Sequence, residues 1–284
     1  MRGLFSAGVL DTLQGAGVRV DGIIGVSAGA AFGCNWKSHQ PGRALRYNVR
    51  FCRDPRYGSF RSWFRTGDLF DAGFCYRTLP RELDPFDAAA FEADPCRFWV
   101  VATDADTGEA VCPEITVADG QAFEWFRASA SMPIVSRPVP IAGRRFLDGG
   151  IADPIPLARS ESMGFARNLV VLTQPEGYRK ARSRLLLPVL SGLFLRRLPA
   201  VAAALAARPG VYNRALEHVA SRAAAGAAFV IRPGAPLPVG RTSRSPEALR
   251  RTHALGQEAA VRALPALRRW LDKGGADGEN GVFM

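Results

Sequence analysis

Histidine is nearly absent from this chain: His39, His218 and His253 are the only three in 284 residues. The scarcity matters because histidine is the side chain whose ordinary pKa best suits proton transfer at neutral pH. None of the three stands at a strand end or among glycines. His39 lies in the polar run Lys37-Ser38-His39-Gln40-Pro41, and His218 and His253 lie in helix-like, arginine-rich stretches. Solvated surface positions are expected for all three. Cysteines are few and odd in number (Cys34, Cys52, Cys75, Cys96, Cys112), with no metal-type pair among them. Reduced thiols in a cytoplasmic setting are the expectation. No zinc-type spacing and no calcium cage of clustered carboxylates appears, so neither a metal nor a cofactor is expected. Lysine is equally sparse (Lys37, Lys180, Lys273), so the net charge of +11 is carried by arginine. Such a charge raises nucleic acid as a partner. No aromatic–basic stacking motif, finger-type Cys/His spacing or recognition helix accompanies it, and no nucleic-acid partner is expected. Long apolar runs are missing too. The longest candidate, from Leu185 to Leu195, is about eleven residues, against the ~20 needed to cross a bilayer. Met1 to Gly17 reads as a periodic helix ending in glycines and not as a signal peptide.

What the chain does have is Gly25-Val26-Ser27-Ala28-Gly29. An apolar run, Gly22-Ile23-Ile24, precedes it and a run of small residues follows it. Strand, tight turn with a central serine, then helix is the layout of a nucleophile elbow. Gly25 and Gly29 permit the sharp turn and the close strand–helix approach, which leaves the serine hydroxyl on a strained corner. The following helix aims its first amides and positive dipole end at the site, favouring negative charge on a substrate oxygen. The amide of Ala28, the residue after the serine, is one natural oxyanion donor. The plainer alternative is a chance glycine pattern in a Gly- and Ala-rich chain. With the serine at position 27, at most one strand and one helix precede it. That argues against the α/β-hydrolase order of several strands, nucleophile, acid and then histidine.

Without a histidine base, a carboxylate must take the proton. Asp148 is the candidate, in Arg144-Arg145-Phe146-Leu147-Asp148-Gly149-Gly150. An apolar pair leads into it and two glycines follow, as at a strand end opening into a turn. A free aspartate, with a pKa near ~3.9, is a poor base at neutral pH. Burial raises that value, and Leu147, Ile151 and Ile155 could supply an apolar pocket. Asp-Gly-Gly is also an ordinary turn signal.

A coarse pass along the chain places helices at 4–14, 28–37 and 121–129, and one from Pro246 towards Trp270 with Pro265 as a kink or break. Strands fall at 22–26, 98–103, 168–173 and 229–232, and 53–71 reads as an irregular loop near the cleft. Alternating strands and helices predict a layered α/β fold: a mainly parallel sheet flanked by helices, with a helical C-terminal cap. The chain can bury a core as one domain over 1–272. Residues 273–284, rich in glycine and acids, read as a disordered tail.

Taken together, several segments resemble the bacterial type of the patatin-like phospholipase family. They are the opening Met1 to Asp11, the elbow Gly25 to Gly29, and Arg127-Ala128-Ser129-Ala130-Ser131-Met132-Pro133. Leu147-Asp148-Gly149-Gly150, Asp153-Pro154-Ile155-Pro156 and Phe229-Val230-Ile231-Arg232-Pro233 complete the set. The resemblance runs from the first residue to about 260. It implies a patatin-like fold and a Ser–Asp dyad, without histidine or metal, that hydrolyses acyl esters of lipids. It places the nucleophile on Ser27 and the base on Asp148, with Gly25, Gly29, Gly149 and Gly150 as motif glycines. One departure stands out. The family pattern starts with a strand and a loop of the form Gly-Gly-Gly-x-Arg-Gly, whose amides help build the oxyanion hole. This chain opens at the x, so only Arg2 and Gly3 of that loop remain. Either the start falls on an internal methionine, or the chain is a real fragment or a degenerate copy. The intact remainder of the site favours the first.

Between Tyr178 and Arg222 eight arginines and Lys180 face a single acid, Glu217, and flank the apolar stretch 185–195. Two compatible readings follow: a peripheral contact with an anionic membrane surface through 178–222, or a helical cap over the cleft. Function narrows to a phospholipase- or lysophospholipase-type serine acyl hydrolase. The alternative is a catalytically impaired homologue that binds lipid or a partner.

Overall fold

The computed structural model describes residues 1–181, 195–240, 242–272 and 280–283. Its centre is strand β1 (Gly22–Val26), buried along its whole length. The continuous apolar run Gly-Ile-Ile-Gly-Val suits a strand covered on both faces. On one side β1 pairs in parallel with β2 (Arg97–Asp104), Ile23 opposite Phe98 and Val26 opposite Val101. Beyond β2 the sheet turns antiparallel. β2 pairs with β3 (Ala110–Val111) and with β5 (Arg144–Asp148), and β5 pairs with β4 (Val139–Ile141). The other half is parallel and holds β6 (Arg167–Val171) and β7 (Ala228–Ile231). Among the described residues the strand order is β4-β5-β2-β1-β8-β6-β7, with β3 beside β2. The layered α/β expectation with a mainly parallel sheet holds.

Side-chain alternation along the strands makes two cores. Ile23, Phe98, Val100, Leu169 and Val171 face one way. There they meet α1 (Gly3–Gly15), α2 (Ala28–Lys37), α6 (Gly120–Ala130) and the C-terminal helix α9 (Pro246–Asp272), through Phe5, Val9, Leu13, Phe126 and Leu267. Ile24, Val26, Trp99, Val101 and Val170 face the other way, against Leu157 of α7 (Leu157–Ser162) and Val219 of α8 (Pro199–Ala224). The shorter helices α3 (Arg43–Phe51), α4 (Phe60–Thr66) and α5 (Ala88–Ala93) fill the connection from α2 to β2. A wide-turned π-helical stretch, Phe74–Leu83, lies in the same connection. α1 and α9 approach until backbone meets backbone. A Cβ on Gly8 would stand 2.1 Å from the His253 carbonyl oxygen, and one on Gly256 2.1 Å from that of Phe5.

Four expectations are corrected. Residues 280–283, read as part of a disordered tail, form β8 (Asn280–Phe283) between β1 and β6, parallel to both. Two facing strand edges offer unpaired amides and carbonyls that a short segment can satisfy. The weight of glycine and acid in the tail hid that pairing. His253, expected at the surface, is buried and bonded through Nε2 to Asp11 at 2.7 Å. α9 continues through Pro265 to Asp272. The loop 53–71 contains α4, capped by the Ser59 hydroxyl, which accepts from the Ser62 amide at 3.0 Å. The apolar stretch 185–195 lies almost wholly outside the described residues.

Candidate active site

Strand register brings the two sequence candidates together. Val26 lies opposite Val101, and on the other edge of β2 Ala102 lies opposite Asp148. Ser27, the next residue after Val26, and Asp148 therefore stand at the same end of β2. The Ser27 hydroxyl donates to Asp148 Oδ2 at 2.6 Å.

Ser27 occupies the corner between β1 and α2 with φ 56° and ψ −117°. Such a conformation costs a non-glycine residue about 1–3 kcal/mol and persists only where its surroundings fix it. Its carbonyl accepts the amides of Ala30 and Ala31 at 3.1 and 3.2 Å, and its own amide donates to the Ser129 hydroxyl at 2.8 Å. Gly25 is required beneath the corner, since a Cβ there would lie 2.5 Å from the Ala30 Cα.

Asp148 ends β5 and is 2% exposed. Its two carboxylate oxygens have different partners. Oδ2 accepts from Ser27, and Oδ1 accepts the Gly150 amide at 2.8 Å. Its amide donates to the Ser131 carbonyl at 2.8 Å, and its carbonyl accepts the Thr103 hydroxyl at 2.8 Å. Leu147 and Ile151 beside it are fully buried, and Ile155 nearly so. Gly149 must lack a side chain, because a Cβ would sit 2.2 Å from the Val101 carbonyl oxygen.

The Ala-Ser-Ala-Ser segment ending α6 holds both partners. Ser129, fully buried, accepts from the Ser27 amide and donates to the Val101 carbonyl at 2.6 Å. Ser131 offers its carbonyl to Asp148 and ties its hydroxyl to the Arg127 carbonyl at 2.8 Å. One turn of chain thus sets the separation of serine and aspartate.

Both open into a cavity of about 540 Å³, whose wall includes the aromatic side chains Phe32, Tyr47, Tyr57 and Phe126. Burial pushes the Tyr57 and Tyr76 phenols well up, so they stay protonated. Tyr57 donates to Asn48 Oδ1 at 2.8 Å. Arg2, Gly3, Ala28, Gly29 and Gly150 also line the cavity. Gly3 begins α1 and abuts Ala28: a Cβ there would stand 2.5 Å from that of Ala28. A helix's first amides have no intrahelical carbonyl. Ser27 takes those of Ala30 and Ala31, which leaves the Ala28 and Gly29 amides without an intrahelical carbonyl, and both residues line the cavity.

Two cavity residues had no sequence signal. Arg208, from α8, donates Nε to the Gly150 carbonyl at 2.5 Å and so braces the Asp-Gly-Gly turn. In an arginine-rich chain nothing distinguishes it. Asp68 is buried and accepts the Arg137 amide at 2.7 Å and the Arg127 guanidinium at 3.4 Å, joining the α4 loop to the serine-bearing segment. The three histidines lie elsewhere: His39 pairs with Asp94, His218 with Glu161 and His253 with Asp11, each at 2.7 Å. Among the described residues no three metal-ligating side chains converge, and no helix is long and apolar enough to cross a membrane.

Two sequence families match this chain. Residues 198–272 match a domain of unknown function, DUF6363. An uncharacterized protein of Escherichia coli strain K12, YjjU, is 31% identical over 183 residues, 61% of this chain and 49% of the relative. The chain spans about half the length of that relative. The family described as patatin-like phospholipase matches residues 1–159, more than half the chain and the part that contains Ser27, the Ser129–Ser131 segment and Asp148, and the chain belongs to that family.

Proposed function

We propose that this protein is a serine acyl hydrolase that cleaves carboxylic esters of lipids with Ser27 as nucleophile and Asp148 as base. The observation that carries the reading is the 2.6 Å hydrogen bond from the Ser27 hydroxyl to a buried carboxylate, at the mouth of an α-helix and inside an apolar cavity. Asp148 Oδ2 takes the hydroxyl proton as Oγ attacks the ester carbonyl. The charge that develops on the carbonyl oxygen meets the Ala28 and Gly29 amides and the positive end of α2. Gly3, which begins α1 beside Ala28, would add a donor from a second helix end. Collapse of the tetrahedral intermediate leaves the acyl group on Ser27, and the departing alkoxide takes the proton from Asp148. Water, deprotonated by the same carboxylate, then releases the fatty acid and restores Ser27. The apolar side chains of the wall, Val26, Phe32, Leu79 and Phe126 among them, suit the acyl chain.

A fluorophosphonate probe tests the assignment. It is expected to label Ser27, with labelling and ester hydrolysis both lost in Ser27→Ala while the protein stays folded. Labelling of Ser129 or Ser131 in place of Ser27 would overturn it.

A further inference from the structure

Phe60 and Phe64 are 77% and 81% exposed, the most exposed large apolar side chains among the described residues. They lie four residues apart on α4 and so share one face of the helix. Between them Trp63 anchors the helix: its indole donates to the Ile134 carbonyl at 2.8 Å. The next residue, Val135, is 39% exposed, accepts the Leu69 amide at 2.7 Å and lines the cavity of Ser27. Trp63 thus ties the helix that carries the patch to the segment that lines the cavity. Arginines frame it. Arg61 and Arg65 on α4, Arg56 before it and Arg137 beside Gly67 are exposed. The acids of this region point inward: Asp68 is buried, and Asp54 and Asp71 are mostly covered and paired with Arg56 and Arg65.

We infer that α4 is an interfacial docking element that seats the cavity mouth on an anionic phospholipid surface, with Phe60 and Phe64 entering the acyl boundary and the arginines meeting headgroup phosphates. Protruding aromatics bounded by cationic side chains are the composition of an in-plane membrane contact. A protein partner would be expected to bury a broader and less charged patch. The inference rests on the lipid-ester reading and adds the surface from which the substrate enters. It is distinct from the basic segment 178–222.

The test uses Ser27→Ala protein, so that vesicles stay intact, in flotation assays with phosphatidylcholine vesicles with and without phosphatidylglycerol. Binding to the anionic vesicles is expected. Phe60→Ser together with Phe64→Ser should lower partitioning about tenfold per residue. Arg61→Gln with Arg65→Gln should lower it about fivefold per charge on anionic vesicles, with little change on neutral ones. In the Ser27 background the double phenylalanine variant should hydrolyse a soluble p-nitrophenyl ester at the wild-type rate. Failure of the parent protein to bind vesicles overturns the inference, as does undiminished binding of the phenylalanine variant. So does a dimer that the phenylalanine variant dissolves, since the patch would then belong to a second copy. Vesicle binding is read without turnover. A protein that docks through Phe60 and Phe64 but cleaves no ester supports the docking element while refuting the hydrolase.

Discussion

Replacing Asp148 by asparagine separates the chemistry of the proposed dyad from its architecture. The aspartate accepts a hydrogen bond through each of its oxygens. Oδ1 must accept the Gly150 amide, and Oδ2 accepts the Ser27 hydroxyl. An asparagine can satisfy the first only by turning its oxygen to Gly150, which points its NH₂ group at Ser27. The serine oxygen then accepts a hydrogen bond where it formerly gave one, and no base remains within reach. Loss of a positioned general base costs ~10²–10⁴ in rate, which is about 3–5 kcal/mol at 1.36 kcal/mol per decade. The structural loss is smaller. The Gly150 contact survives as a neutral hydrogen bond, a difference of about 1 kcal/mol. The backbone bonds of residue 148 to Ser131 and Thr103 are untouched. Asp148→Asn is therefore expected to melt within a few degrees of wild type while kcat on a soluble p-nitrophenyl ester falls at least about a hundredfold. A folded Asp148→Asn protein with kcat within about threefold of wild type would refute the reasoning, because an ordinary general-base contribution is far larger.

Ser129→Ala removes the acceptor of the Ser27 amide and the donor to Val101 at once. It should cost about 1–3 kcal/mol of stability in denaturant melts and lower kcat more than it raises KM, since the corner holding Ser27 is released. His39→Ala, His218→Ala and His253→Ala should each keep near-wild-type kcat per folded molecule. His253→Ala alone should melt measurably lower, because it unpairs Asp11 within the α1–α9 contact, whereas a catalytic collapse in it would point to a Ser–His–Asp triad. Because the proposed Ser–Asp mechanism routes no step through a metal, EDTA should leave soluble-ester turnover unchanged, and loss of activity restored by Ca²⁺ would contradict it.

Local chemistry was the readable part. The boundaries of β1 and α2 follow from an apolar run, a serine between glycines and a small-residue run, all within sixteen residues of chain. Asp148 could be picked out because two glycines mark a strand end where backbone must pass close to backbone. Whatever depends on a distant partner was opaque. Nothing in Ser129 announces a bond to an amide 102 positions earlier. Nothing in Arg208 announces a carbonyl 58 positions away. His253 reads as solvated because it lies in an arginine-rich, helix-like stretch, yet its partner Asp11 is 242 residues distant, across the helix contact. β8 was missed for the same reason, since the two edges it joins belong to segments far from it in the chain.

The contact at Gly8 and Gly256 also bears on how the chain can be divided. α1 belongs to the segment matched by the first family, and α9 to the segment matched by the second. Where they cross, there is no layer of interchangeable side chains that could be traded for solvent. A chain cut after residue 197 would present Phe5, Val9 and Leu13 to water along the line that Ala259, Ala260 and Leu267 now cover. It would also lose the Arg208 brace on the turn that follows Asp148. The two segments are thus expected to fold, turn over and be inherited together, and attempts to express the first by itself should yield aggregate and not a smaller working enzyme.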